Sequence, residues 1–174
     1  MRIEIVAAMT PQMVIGKNGS MPWPKIQSDL ARFYNLTYGS HVVMGRKTWE
    51  SLPPAVRPLK HRVNLVISRK MLPNNTCIVL DNPNKVFPIA HANRVFVVGG
   101  ADIYKQFLPF ADVMHITWVY QDYEGDTHFP MPHDKFDQWK MVANFKDKTK
   151  WGIAVDYSTY HKKFNVAKPP LNLV

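Results

Sequence analysis

Arg94-Val95-Phe96-Val97-Val98-Gly99-Gly100-Ala101-Asp102-Ile103-Tyr104 reads as a strand, a glycine turn and a helix start. A β-branched apolar run ends at two glycines, and a helical pattern follows. Paired glycines at a helix start expose backbone N–H groups, and the helix dipole adds to their pull on an anion such as phosphate. Only glycine lets an anion come that close, or takes φ > 0 without penalty. A plain structural turn is the other open reading, since Gly-Gly is ordinary turn chemistry. No G-x-G-x-x-G occurs in the chain, so the dinucleotide fingerprint of doubly wound folds is absent.

The same step from strand to helix recurs outward from this stretch. Short apolar runs at 3–8, 41–44, 63–68, 77–80 and 113–119 join 94–98 as strand candidates. Several are apolar on consecutive residues, as buried parallel strands are. Helical patterns lie between them at 28–37, 48–52 and 102–107. Alternating strands and helices predict an α/β class with a mainly parallel sheet. Residues 139–145 and 153–164 alternate instead like antiparallel strands, joined around Lys150-Trp151-Gly152. The segment 165–174, with Lys168-Pro169-Pro170, reads as a loosely ordered tail.

Composition narrows the class further. A chain of 174 residues, 46% hydrophobic and 20% charged, suits a single globular domain with a sizeable core. Cys77 is the single cysteine, which excludes an internal disulfide and a cysteine metal cluster and fits a reducing cytoplasm. Residues 1–8 carry an acid within their apolar run and read as a first strand, neither a signal peptide nor a membrane span. Lys plus Arg number 22 against 13 Asp plus Glu, so the net charge is +9. That excess raises two partners, nucleic acid or a small polyanion. The basic residues are spread along the chain, densest over 135–163, and no zinc-finger or RNA-binding signature accompanies them. A solvated basic face is the expectation, with no nucleic-acid or membrane partner and a monomeric state.

Two more loci carry chemistry. His41-Val42-Val43-Met44-Gly45-Arg46-Lys47-Thr48-Trp49 is a second strand–glycine–helix junction, with Arg46 and Lys47 at the helix start. Cations there oppose the helix dipole unless an anion binds. Arg69 and Lys70 follow the strand end at Ser68 in the same way. The other locus is Asp29. In a helix, Asp29, Phe33 and Leu36 share one face, which places a carboxylate beside an aromatic ring near the core. Arg32 projects to a neighbouring face, leaving that buried charge without an evident partner. Asp29 is therefore either a first-turn acid beside a cap at Ser28 or a ligand-binding carboxylate.

Taken in order, these stretches resemble dihydrofolate reductases over residues 3–163. The resemblance rests on Val14-Ile15-Gly16, Met21-Pro22-Trp23, Asp29-Leu30 with Phe33, and Met44-Gly45-Arg46-Lys47-Thr48-Trp49-Glu50-Ser51-Leu52. It continues through Arg57-Pro58-Leu59, Asn64, Val98-Gly99-Gly100-Ala101 with Ile103-Tyr104, and Glu124-Gly125-Asp126-Thr127-His128-Phe129-Pro130. It implies a three-layer α/β/α fold around a mixed, mostly parallel sheet with an antiparallel C-terminal strand. It also implies one domain over 1–164, with an adenosine-binding subdomain at about 40–95.

The implied activity is NADPH-dependent reduction of dihydrofolate, in a pocket that antifolate inhibitors also enter. Asp29 matches the acid that accepts hydrogen bonds from the pterin, and Thr117 the threonine that shares its network. Apolar burial should raise the Asp29 pKa, and a bound cationic pterin should lower it. Trp23 and Tyr104 join these two as the catalytic set, Tyr104 near the nicotinamide ring. Val6, Ala7, Phe33, Leu52, Leu59 and Val98 line the substrate pocket, and Arg62 matches the arginine that grips the glutamate-tail carboxylate. Ala8, Ile15, Asn18 and Ser20 fall at the nicotinamide end of the cofactor, and Gly16 and Thr127 also belong to the cofactor site. Gly45, Arg46, Lys47 and Thr48, with Gly99, Gly100, Ala101, Asp102 and Ile103, form the phosphate turns. Arg46, Ser68 and Arg69 fit a 2′-phosphate, which favours NADPH over NADH. Residues 17–24 resemble a mobile lid that closes Met21 over the nicotinamide. Three departures stand out, one being extra residues between Leu52 and Arg57. Lys60-His61 occupies a Pro-Gly position of the family, and Ala101 a common glycine. Asp29, Phe33 and Arg62 together set the resemblance apart from same-fold reductases of the riboflavin pathway.

Overall fold

β1 (Arg2–Met9) runs through the interior of an eight-stranded sheet. The remaining strands of that sheet are β3 (His41–Gly45), β4 (Val63–Ile67), β5 (Ile78–Leu80), β6 (Arg94–Val97), β7 (Val113–Tyr120), β9 (Trp139–Lys148) and β10 (Ala154–Lys162). Their order is β5-β4-β3-β6-β1-β7-β10-β9. Every pairing from β5 to β7 is parallel, and β10 is antiparallel to both β7 and β9. The expected mixed sheet is present. The computed structural model describes residues 1–91, 93–163, 166 and 169. Of the predicted tail only Val166 and Pro169 are among these, so that expectation lies outside the described residues.

The central strands are buried because their residues are apolar on both faces. Ile5, Val42, Val43, Met44, Val66, Val95, Phe96 and Val97 are fully enclosed. Helices α1 (Gln27–Thr37), α2 (Arg46–Ser51), α3 (Val86–Ile89) and α4 (Ala101–Phe107) connect the strands. The short α3 escaped the sequence reading, since its four residues carry no helical period. So did a two-stranded sheet of β2 (Val14–Gly16) and β8 (Thr127–His128), too short to alternate legibly.

Helix boundaries also move. α2 starts at Arg46 rather than 48, and Leu52 stands just past its end. The two leading cations are tolerated in part because Arg46 pairs with Glu50 one turn on, at 2.7 Å. α1 is preceded by Ile26, and no side chain caps it. Ser28 is therefore no cap; its Oγ lies 2.6 Å from the Tyr157 hydroxyl on β10.

Candidate active site

The C-terminal ends of β3 and β6 lie side by side, as their parallel pairing requires. Gly45 N–H donates to the Gly99 carbonyl at 2.8 Å, joining the two glycine turns. Gly45 precedes α2 and Gly100 precedes α4, each extended and neither with a side-chain cap. Two sets of first-turn N–H groups thus open toward one region. Gly99 has φ 118 and sits under the Tyr104 ring, where an added Cβ would come 3.3 Å from the hydroxyl. Thr48 Oγ1 would meet a Cβ on Gly100 at 3.4 Å. Ala101 occupies the first position of α4 without disturbing it. Arg69 is exposed beyond β4, with no acidic partner among the described residues. Uncapped N–H groups on glycine turns, with Lys47 and Arg69 exposed nearby, fit a phosphate-bearing dinucleotide. Arg46 is less free than the sequence implied, since Glu50 already holds it.

β1 separates that region from Asp29. Thr117 Oγ1, on β7, donates to Asp29 Oδ1 at 2.6 Å. Burial pushes the Asp29 carboxyl above its ordinary range, while the Thr117 bond and the Arg32 charge pull against that rise. The sequence reading left Asp29 without a cation; the structure corrects it. Arg32, three residues on, turns back beneath the helix and donates to Thr117 Oγ1 at 3.4 Å. A side chain that long reaches past the face its Cα occupies.

The predicted apolar lining gathers in one place. Phe33, Leu52 and Val98 are half-buried against Val42, Met44, Trp49, Leu59 and Val66. Val6 is half-buried and Ala7 buried, so Ala7 offers the site its backbone alone. Arg62 stacks over Tyr34 at 4.8 Å and donates to Thr37 Oγ1 at 3.3 Å and to the Lys60 carbonyl at 2.8 Å. Lys60-His61 lies in the same loop, just before Arg62. His61 adopts φ 60, the left-handed conformation that a glycine takes freely. The Tyr38 ring packs against the His61 ring in a tilted contact, centroids 5.3 Å apart, which compensates in part. Asn64 braces the same loop, accepting from Leu59 N–H and donating to the Leu59 and Arg62 carbonyls, each at 3.0–3.1 Å.

Tyr104 is fully enclosed and donates to the Val6 carbonyl at 2.8 Å. Burial, with the Asp29 charge behind it, raises its pKa, so it keeps its proton and serves as an anchor. Trp23 is buried in a cluster with Ile26, Val119, Ile153, Val155 and Tyr157, with Ala8 packed against it. Its edge meets Tyr123 at 5.9 Å.

The predicted lid begins with a tight hairpin. Lys17 and Ser20 exchange backbone bonds across Asn18 (φ 51) and Gly19 (φ 78), as an Asn-Gly turn with two positive φ angles does. Asp126 Oδ2 accepts from Asn18 N–H at 2.8 Å, and Lys17 pairs with Glu124 at 2.9 Å. Met21 stays half-exposed at the lid's edge. Ile15, Gly16 and Thr127 belong to the β2–β8 pair below this turn, which is why the two loops sit together.

A family model described as dihydrofolate reductase matches residues 2–162. The chain belongs to the dihydrofolate reductase family. It is 36% identical to the dihydrofolate reductase of Bacillus subtilis over 148 residues, 82% of either chain. Against the dihydrofolate reductase of Haemophilus influenzae it is 35% identical over 142 residues, 81% of this chain and 85% of that one. A dihydrofolate reductase from Enterococcus faecalis, solved with NADP(H) and RAB-propyl, superposes with a TM-score of 0.82 at 28% identity. The match covers 93% of this chain and 96% of that one. β1 lies between Asp29 with its Thr117 partner on β7 and the glycine turns that follow β3 and β6. Sequence reasoning missed Arg32; the signal available was a long cation one helical turn from a buried acid.

Proposed function

We propose that Asp29, held by Thr117, anchors and polarises the pterin in the reaction that family membership defines. The chain reduces 7,8-dihydrofolate to 5,6,7,8-tetrahydrofolate with NADPH. The observation that carries the residue assignment is a half-buried carboxylate with one hydroxyl bond and a raised pKa, on the helix that also brings Phe33 to the apolar wall. Bound NADPH supplies hydride from nicotinamide C4 to pterin C6, so the protein's work is proximity, orientation and electrostatics.

Asp29 accepts from the pterin ring N–H and amino group and stabilises the protonated pterin. The proton bound for N5 arrives through water admitted at the 17–24 loop, and Trp23, buried near the end of that loop, fixes its base. Tyr104 orients the strand carbonyl of Val6 at the boundary between the two ligands. Phe33, Leu52, Leu59 and Val98 hold the ring system by contact, with Val6 and Ala7 at its head, and Arg62 takes the tail carboxylate as a bidentate partner. Ala8, Ile15, Gly16, Asn18, Ser20 and Thr127 bound the nicotinamide end. Gly45 to Thr48 and Gly99 to Ile103 cradle the phosphates, and Ser68 and Arg69 favour the 2′-phosphate. The segment 40–95 serves as the adenosine-binding subdomain of a single domain over 1–164.

Antifolate compounds enter the same pocket. The protein works as a cytoplasmic monomer whose basic surface steers two anionic ligands; among the described residues no helix is long and apolar enough to cross a membrane. The direct test follows NADPH absorbance with dihydrofolate present. Oxidation that needs both compounds supports the assignment, and none with both present overturns it.

A further inference from the structure

Arg32 ties the pterin-pocket acid to the sheet behind it. Its guanidinium is largely enclosed and donates to Thr117 Oγ1 on β7 at 3.4 Å, to the Ser158 carbonyl on β10 at 3.2 Å and to Thr159 Oγ1 at 3.5 Å. It lies over the Tyr157 ring at 5.5 Å from its centre. These contacts fix the fork from one side while Thr117 stands between it and Asp29.

The hydrogen-bond chemistry then runs one way. A guanidinium has donors only, and a threonine hydroxyl has a single proton. With Arg32 donating into Thr117 Oγ1, that hydroxyl sends its own proton to Asp29 Oδ1, 2.6 Å away. An ionised carboxylate accepts this bond. A protonated Asp29 would have to turn its proton to the other oxygen or compete for a hydroxyl already receiving one. The arrangement works against the burial that raises the Asp29 pKa, favouring ionisation, and it holds the Oδ1 edge in place.

We propose that Arg32 is a positioning residue for the reductase reaction, setting the orientation and charge state of Asp29 through Thr117. This rests on the reading of Asp29 as the pterin anchor. The charged and titratable groups around Asp29 are Arg32 on its own helix, Tyr104 on α4 and Tyr157 on β10. Both phenols stay neutral, since burial raises each. On the far side of Arg32, Thr159 also contacts His115 Nδ1 at 3.2 Å. Arg32 is thus the only cation among these groups that reaches Thr117.

The test uses the full chain with Arg32→Met and Arg32→Lys, each confirmed folded by circular dichroism. Two readouts are the carboxyl titration of Asp29 in the ligand-free protein and the pH profile of kcat. Arg32→Met should move the Asp29 titration up by about one pH unit, the scale of losing a nearby opposite charge. It should displace the kcat profile in the same direction, with KM for dihydrofolate raised severalfold. Arg32→Lys should restore most of the titration shift, because the charge returns. A lower kcat at every pH with an unmoved Asp29 titration overturns the proposal and leaves Arg32 a packing residue. Asp29→Asn separates the two failures. If that variant retains turnover, the anchor reading is at fault; if it is inactive while Arg32→Met leaves the titration unmoved, only the role of Arg32 falls.

Discussion

Glu4 and Asp29 are both carboxylates under the surface, and both lean on the same face of β7. Glu4 takes His115 and Asp29 takes Thr117, two residues further along that strand. Their situations differ in how many partners the chain itself supplies. The Glu4 side chain is 1% exposed and meets His115 Nε2 at 2.7 Å, Arg94 Nε at 2.9 Å and Arg2 Nε at 3.3 Å. Burial alone would push its pKa up, yet the bonds from His115 and Arg94 bring it down to about 2. Asp29 has one hydroxyl and a more distant cation, and burial prevails. A carboxylate satisfied within the fold is a structural charge. One left short of partners is a candidate for holding a ligand.

The sharpest way to break this contrast is Asp29→Asn. Turnover near neutral pH should fall by about 10²-fold or more, the scale of removing a positioned acid or base. The same change should stabilise the ligand-free protein. A folded pKa raised above the unfolded value means that ionising Asp29 costs stability as pH rises through the unfolded value, about 3.9. The variant's thermal midpoint should therefore exceed the parent's near neutrality, and the gap should close below about pH 3. Loss of activity with loss of stability would place Asp29 with the structural acids instead.

Glu4→Gln should do the reverse. Removing one member of a buried, paired set costs about 2–3 kcal/mol, toward the low end because Arg2 and Arg94 are half-exposed. For a chain of this size that is a drop of about 4–12 °C in Tm, with turnover changed less than about twofold. The acid dependence carries a sign. A folded pKa below the unfolded one gives stability that is complete above about pH 4.3 and is lost as pH falls toward about 2. Urea unfolding across that range should show the parent converging on the variant. Parallel curves would remove Glu4 from the acid response.

Cations offer a milder version of the same contrast. Arg94 is bound to Glu4 and lies over Phe96 at 4.9 Å, whereas Arg69 stands exposed at the end of β4. Arg69→Ala should raise KM for NADPH about tenfold, near the 1.5 kcal/mol of a charge-assisted hydrogen bond. KM for NADH should change much less, because NADH lacks the 2′-phosphate. Equal changes for the two cofactors would take Arg69 out of that site.

Much of this arrangement is legible in the chain. Consecutive apolar runs announce buried parallel strands, and the strand–glycine–helix steps at Gly45 and Gly99-Gly100 announce the paired, uncapped helix starts, because both signals are local. Asp29 needs the surrounding motifs before its ligand reading prevails over a cap or a first-turn acid; the structure leaves α1 without a side-chain cap and places Asp29 in its first turn. The partners of Glu4 are illegible: Arg94 and His115 lie 90 and 111 positions away, and only the strand order brings them together. Arg32 is close in sequence, but its reach depends on how β7 and β10 pass beneath α1. His61 at φ 60 is hidden for another reason, since its strain is met by Tyr38 and by the loop that Asn64 braces.

The central claim is that the fold satisfies Glu4 and leaves Asp29 short. Carboxyl carbon NMR titration of the ligand-free protein tests it most directly, with Asp29→Asn and Glu4→Gln assigning the two resonances. The account predicts that Glu4 titrates at about 2 and Asp29 above the ordinary aspartate value of about 3.9. An Asp29 resonance titrating at or below that ordinary value would contradict it.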